Sequence, residues 1–154
     1  MKKAVSYCFL LLALLAKVAI TQAQNYQTWE GQGIQFLAPN GFSKVSADTE
    51  RFEGKVEASN ILHFGVYALS QSVNSSNIAT SFKTLAEEAG LKYAGTQNWA
   101  MGNLKGMYAQ GTVSNVPAYF AVVYDDSGST KFTALIVHNN PAMAMAMLNS
   151  FRKK

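Results

Sequence analysis

Residues 104–138 read LKGMYAQGTVSNVPAYFAVVYDDSGSTKFTALIVH, and this stretch decides the fold class. Its apolar residues fall into blocks separated by short runs of Ser, Asn, Asp and Gly, which are typical of turns. The blocks predict strands over Leu104–Val113, Val116–Tyr124 and Lys131–His138. The junction Asp125-Asp126-Ser127-Gly128 suits a hairpin, because its residues accept positive φ or cap their own backbone. Successive hairpins of this kind predict an antiparallel sheet.

The same alternation of apolar blocks and turn residues continues toward the N-terminus. Gly31-Gln32-Gly33 and Gly102-Asn103 mark two further hairpin junctions. The additional predicted strands are Tyr26–Trp29, Ile34–Leu37, Phe52–Ala58, Ile61–Ser70 and Lys92–Trp99.

Two segments have helical periodicity instead. Apolar residues in Ile78–Ala89 recur at i, i+4, i+7, i+8 and i+11, which forms one stripe of a helix that Gly90 ends. Pro141–Phe151 begins with Asn140 as the N-cap and Pro141 at the first helical position. The sequence therefore predicts an α+β fold, an antiparallel sheet flanked by helices. The helix residues predicted to be buried are Phe82, Leu85, Leu148 and Phe151.

The first 23 residues have the pattern of a secretory signal peptide. Lys2 and Lys3 precede a mostly apolar run over Val5–Ala16, and a small-residue stretch ends at Ala23. The run is shorter than the ~20 residues that a membrane-spanning helix needs. We expect residues 1–23 to be removed, and residues 24–154 to form a single domain in the periplasm or the extracellular space.

Composition limits the classes of partner. The full chain has 13 Lys and Arg residues against 9 Asp and Glu residues, a net charge of +4. Lys2, Lys3 and Lys17 lie in the predicted leader, so the remainder has 10 basic and 9 acidic residues, a net charge of +1. This balance argues against nucleic acid or an anionic membrane surface as a partner. We also expect no stable membrane insertion after signal removal. The only cysteine, Cys8, also lies in the leader, so the mature domain has no thiol chemistry.

Several short motifs resemble those of Mog1/PsbP-like domains. They are the strand that leads into Ala38-Pro39-Asn40-Gly41-Phe42, the hairpin with Leu104-Lys105-Gly106, the long meander, and the closing Leu148-Asn149-Ser150-Phe151. The resemblance covers most of the mature chain. It implies an α-β-α sandwich used mainly to bind other proteins in assembly or accessory roles. It implies no catalytic residues, because the family shares none.

His63 and His138 are the only histidines, and each lies in an apolar block. No carboxylate lies near either one in sequence, so a structural role in the sheet is the expected one. Whether the two histidines meet in space stays open at this point.

Two other groups of residues have competing interpretations. The segment Asp125–Ser129 has the acidic and hydroxyl composition of a calcium loop but lacks its ligand spacing, so a hairpin turn is expected. Met143, Met145 and Met147 alternate, and thioethers bind Cu(I), but a helix places Met145 roughly 160° from Met143 around its axis. We therefore predict no catalytic, cofactor-binding or metal-binding residues and no cofactor.

Three functions remain after these exclusions. The first is an exported, non-catalytic accessory domain that binds another protein of the cell envelope, with Trp29 and Trp99 as candidate partner anchors. The second is a small-molecule or lipid-binding domain with an apolar cleft between helix and sheet. The third is a hydrolase or metal enzyme that uses His63 and His138, which requires the two side chains to lie close together.

The export hypothesis makes a direct prediction about the mature N-terminus. N-terminal sequencing of protein from its own cells should begin at or near Gln24, because the cleavage pattern ends at Ala23. Retention of Met1 would contradict a cleavable signal.

Overall fold

The computed structural model describes residues 25–56 and 61–154. Two helices and eleven strands follow one another along this part of the chain. The helices are α1 (Ile78–Glu88) and α2 (Pro141–Leu148). The strands are β1 (Asn25–Trp29), β2 (Ile34–Ala38), β3 (Phe42–Ala47), β4 (Arg51–Val56), β5 (Ile61–Ala68), β6 (Leu91–Tyr93), β7 (Gln97–Met101), β8 (Leu104–Val113), β9 (Val116–Asp125), β10 (Lys131–His138) and β11 (Arg152–Lys153).

The strands form two antiparallel sheets. The large sheet has eight strands in the order β3-β4-β5-β10-β9-β8-β6, and β7 pairs with β8 beside β6. The small sheet has the order β1-β2-β11. Strands β8, β9 and β10 form the centre of the large sheet, and their bounds match the predicted meander to within one residue. Ser114 and Asn115 turn the chain between β8 and β9 with φ of 52° and 66°, as a tight hairpin requires.

An aromatic core fills the space between the two sheets and α2. Phe36 of the small sheet, Phe64 and Phe132 of the large sheet, and Phe151 are each fully buried. Their ring centroids lie 4.5–5.8 Å apart in the Phe36–Phe64, Phe36–Phe151 and Phe132–Phe151 pairs. Such aromatic contacts add to the stabilisation that comes from burying apolar area. We call the buried cluster that contains these four rings, together with Trp29, Trp99 and Tyr119, the inner core.

The second core lies on the opposite face of the large sheet, beneath α1. Phe82 and Ala86 of α1 are buried against β6, β8 and β9. The Phe82 ring lies 5.5 Å from the rings of both Phe120 and Tyr93. Leu85 is only half-buried, although the sequence predicts full burial. The helix ends before Gly90, whose φ of 70° favours glycine, as predicted.

The predicted α+β fold overstates the share of helix in the protein. The protein is mostly β, with two short helices, so a sheet flanked by helices overstates their share. On one side α1 covers the part of the large sheet formed by β6, β8 and β9, and on the other side lie the small sheet and α2. The structure therefore has three layers, like the α-β-α sandwich that the resemblance implies, but one outer layer combines a small sheet with a helix.

The bounds of several strands and of one helix differ from those predicted. Strand β3 was not predicted, and the predicted strand Lys92–Trp99 is two strands, β6 and β7, interrupted at 94–96. The predicted strand Phe52–Ala58 is observed to Val56, and Ala58 lies outside the described residues. Helix α2 begins as predicted, with Asn140 Oδ1 accepting from Met143 N at 3.0 Å, but it ends at Leu148. Phe151 is therefore buried from the segment after the helix, which continues directly into β11.

Replacing Phe151 should measure how much the inner core contributes to stability. Phe151→Ala should lower the free energy of unfolding by about 3–5 kcal/mol, because its ring is fully buried among other rings. The matched control is Val45→Ala at a side chain that is 63% exposed, which should cost no more than about 0.5 kcal/mol. A Phe151→Ala cost below about 1 kcal/mol in urea denaturation would contradict the assignment of this ring to the core.

Candidate functional site

The two histidines lie on opposite faces of the large sheet. His63 is opposite Val137 on β10, and Val137 packs with the residues beneath α1. His138 stacks on Tyr119, which belongs to the inner core. The sheet therefore separates the two imidazoles, and the enzyme hypothesis that requires them to meet is not supported.

A hydrogen-bonded network lies on one face of β3, β4 and β5, the face that points away from the inner core. We call it the outer face, and its residues include Ser43, Ser46, Arg51, Glu53, Lys55, His63 and Tyr67. Tyr67 Oη donates to Glu53 Oε1 at 2.8 Å, and Ser46 Oγ donates to Glu53 Oε2 at 3.0 Å. His63 Nε2 lies 3.2 Å from Tyr67 Oη. Because the tyrosine proton goes to Glu53, the ring N–H of His63 is the donor in this last contact. His63 is therefore connected to the Glu53 carboxylate through Tyr67, although no carboxylate lies near it in sequence.

Strand register brings the network together. Ser46 is paired with Glu53, Glu53 with Gly65, and Arg51 with Tyr67. Gly65 leaves the space that the Tyr67 side chain occupies, because a Cβ at this position would lie 2.5 Å from Tyr67 Oη. The tyrosine side chain therefore lies back across the glycine, in the direction of Glu53. A glycine inside a strand is a signal of such close approach, and it is the one cue that the sequence offers for this site.

The network fixes the protonation states of its members. The hydrogen bond from Tyr67, followed by that from Ser46, lowers the pKa of Glu53. Burial, followed by the bond to Glu53, raises the pKa of Tyr67 to about 12. At neutral pH the carboxylate is ionised with both oxygens engaged, and the phenol keeps its proton. A general base or acid needs a pKa near the working pH, so this pair is suited to binding and poorly suited to proton transfer.

Basic side chains surround the network on β4. Lys55 is exposed, and among the described residues it makes no ion pair. Arg51 is 53% exposed and lies 3.4 Å from Asp48 at the preceding turn. Among the described residues of the outer face, the unpaired charge is thus the positive charge of Lys55, since Glu53 is engaged internally and Arg51 is paired with Asp48.

His138 occupies an apolar site within the inner core. Its side chain is 1% exposed, and its ring lies 5.0 Å from that of Tyr119 at an interplanar angle of 20°. Neither ring nitrogen has a hydrogen-bond partner within residues 25–56 and 61–154. Burial lowers the pKa of His138, so the ring is neutral and serves as a packing group.

The Asp125–Ser129 segment forms the hairpin turn between β9 and β10, as predicted. Asp125 is 4% exposed, and its Oδ2 accepts from Lys153 Nζ at 2.5 Å, Ser127 Oγ at 2.9 Å and Ser129 Oγ at 3.0 Å. Burial alone would raise the pKa of Asp125, but these donors outweigh burial and hold it well below its usual range. The Lys153 ammonium thus takes the place beside the carboxylate where a bound cation would have to lie.

A polar cleft opens next to this turn. It encloses about 370 Å³ and is lined by Gly102, Asn103, Lys105, Asp125, Asp126, Ser127 and Lys153. Lys105 Nζ and Asp126 Oδ2, 2.6 Å apart, form an exposed ion pair on its rim. The charged groups of the cleft are paired with one another, which leaves little to recognise a ligand.

Trp29 and Trp99 are not partner anchors. Both are buried, at 1% and 7% exposure. Trp29 Nε1 donates to the Asp48 carbonyl at 2.6 Å, and Trp99 Nε1 donates to Asn149 Oδ1 at 3.1 Å. Their polar atoms join the strands to neighbouring loops, so the alternative in which they anchor a partner is not supported.

Two features of the described residues bear on function. No group of three or more His, Cys, Asp or Glu side chains there could hold a metal ion. Neither described helix has the length and apolar character needed to cross a bilayer.

Comparison with known proteins defines the fold class. No family model matches the sequence, and no curated protein matches it either. The solution structure of cyanobacterial PsbP (CyanoP) from Synechocystis is similar to this chain, with a TM-score of 0.58 at 10% sequence identity. The similarity covers 90% of this chain and 96% of that chain. The fold is therefore PsbP-like, and the predicted resemblance is confirmed at the level of the fold.

Acid should destabilise the protein in two pH windows, because His138 and Asp125 both have lowered pKa values. The unfolded chain binds each proton more readily, so stability falls as pH falls below the ordinary pKa, about 6.5 for His and about 3.9 for Asp. Urea denaturation across pH 8 to 3 should show both declines. His138→Phe should remove the upper decline, and Asp125→Asn should shrink the lower one, to which Glu53 also contributes. A His138→Phe profile identical to that of the wild type would refute the assignment.

Proposed function

We propose that this chain is an exported, non-catalytic accessory domain that binds another protein of the cell envelope. Residues 1–23 serve as its cleavable signal peptide, and residues 24–154 act as one domain in the periplasm or extracellular space. The observation that carries the proposal is the PsbP-like fold over 90% of the chain, since the family resemblance implies accessory binding roles. The composition of the mature chain, at a net charge of +1, favours a protein partner over nucleic acid or a membrane surface.

The chemistry of the described residues supports a non-catalytic role. Glu53 has both carboxylate oxygens occupied, and Tyr67 has a pKa of about 12. Asp125 is paired with Lys153, and His138 is buried with neither ring nitrogen hydrogen-bonded to a described residue. General acid–base catalysis works best with a pKa near the working pH, whereas the pKa of Glu53 is lowered and that of Tyr67 is raised to about 12.

The alternative of a lipid or small molecule between helix and sheet receives no support from the packing of α1. Phe82 projects from α1 onto Phe120 and Tyr93 at 5.5 Å, and it is 1% exposed. These side chains occupy the place where the apolar ligand of that hypothesis would have to lie.

The proposal predicts a discrete complex in the native envelope. Lysine-reactive crosslinking of intact cells that carry a tagged copy should yield one adduct of defined stoichiometry, whose second component is an envelope protein by mass spectrometry. Tagged protein that stays at its own mass, both after crosslinking and in native gels, would contradict the binding role.

The same cells test the enzyme alternative. A deletion strain should be complemented to within about twofold by His138→Phe, because a ring of similar size can replace a neutral, unpaired imidazole at little cost. Loss of complementation at wild-type protein level would favour a catalytic or metal-binding role for His138 instead.

A further inference from the structure

We propose that the outer face is the docking surface of this domain, that Tyr67 is its central contact, and that it takes an acidic segment of the partner protein. This inference rests on the proposed binding function and adds the surface and the chemistry of the partner. It is carried by the accessibility of the outer face, by the fixed position of Tyr67, and by the sign of the available charge.

The outer face is the accessible part of the α1 side of the large sheet. Helix α1 packs against β6, β8 and β9, at the other end of the sheet from β3 and β4. On β4, Arg51 and Lys55 are exposed. Ser46, His63 and Tyr67 are half-buried, so the network is accessible at its surface rather than enclosed. A partner can therefore reach the tyrosine without displacing a described element.

Tyr67 has the properties of an interface hot spot. Its ring lies across Gly65, and its hydroxyl is held between Glu53 at 2.8 Å and His63 at 3.2 Å. Tyrosine offers a large contact area with few rotatable bonds, and here those bonds are already fixed in the free protein. Binding to a side chain in a fixed position loses less conformational entropy than binding to a mobile one.

The charge of the outer face selects the partner. Glu53 accepts a hydrogen bond from Tyr67 through one oxygen and from Ser46 through the other, so it is not available to a partner cation. Arg51 is paired with Asp48, whereas exposed Lys55 makes no ion pair among the described residues and keeps its charge available. A carboxylate placed opposite Lys55 would speed association and fix the orientation of the complex. The geometry thus fits a protein segment that carries Asp or Glu around an apolar contact with the Tyr67 ring.

Site-specific photocrosslinking in the full chain, expressed in its own cells, tests this surface. The photoreactive residue p-benzoylphenylalanine is placed at Ser43, which pairs with Lys55 on the outer face, and at Thr84, an exposed position of α1. We expect a protein adduct from position 43 and none from position 84. Mass spectrometry then identifies the adduct and the crosslinked segment, which should be acidic.

Charge reversal then tests the chemistry with a matched control. Lys55→Glu on the outer face and Lys83→Glu on α1 make the same charge change at two exposed lysines. The adduct at position 43 should fall about tenfold with Lys55→Glu or Tyr67→Ala and stay within about twofold with Lys83→Glu. Replacing an acidic residue of the identified segment by Lys should restore the adduct in Lys55→Glu. Melting temperatures exclude misfolding, and Lys55→Glu, at an exposed position, covers the case in which Tyr67→Ala does not fold.

The contrary outcomes separate the two proposals. An adduct from position 84 alone would overturn the docking surface and leave the binding function intact. An adduct at position 43 that does not respond to Lys55→Glu would overturn the acidic partner. Lipid or nucleic acid in the adduct would overturn the protein partner. Adducts at neither position would overturn the docking surface, and the lysine-reactive crosslinking described above then decides the binding function separately.

Discussion

The Phe151 ring holds the layers of this protein together. It lies 5.8 Å from Phe36 of the small sheet, 5.2 Å from Phe132 of the large sheet and 6.5 Å from Trp99 of β7. Apolar burial of this kind is the dominant favourable contribution to folding, and here one ring shares its contacts among three separate parts of the chain. The position of β11, and with it the Lys153–Asp125 contact, follows from this anchoring because β11 begins at the next residue.

How far the sequence predicts the fold depends on how much apolar surface each element buries. The meander β8–β10 and the start of α2 could be predicted, since buried strands read as apolar runs and a helix start has its own capping residues. Strand β3 could not, because FSKVSA lies at the sheet edge, exposes half of its residues and fully buries none. Strand β11 is Arg-Lys alone and forms only because β2 offers backbone partners, so its sequence carries no β signal.

The candidate site was harder to predict than the fold because register, and not spacing, creates it. Ser46, Glu53, His63 and Tyr67 come from three strands, and a shift of one residue in any pairing would turn the side chains to the other face. Sequence reasoning placed His63 in the sheet but found no carboxylate near it. The contact runs through Tyr67 to Glu53, and its one signal in the sequence is the glycine at 65, inside a strand, which the sequence-based predictions did not use.

The pairing of β2 with β11 has a consequence for the order of events in the cell. Arg152 and Gln35 are 117 positions apart, so the small sheet cannot close until almost all of the described chain is present. Contacts between distant residues slow folding, because the loop between them must be ordered first. The hairpin of β1 and β2 therefore waits for its third strand until β11 has been synthesised, and the backbone groups of β2 on that side stay open to solvent until then.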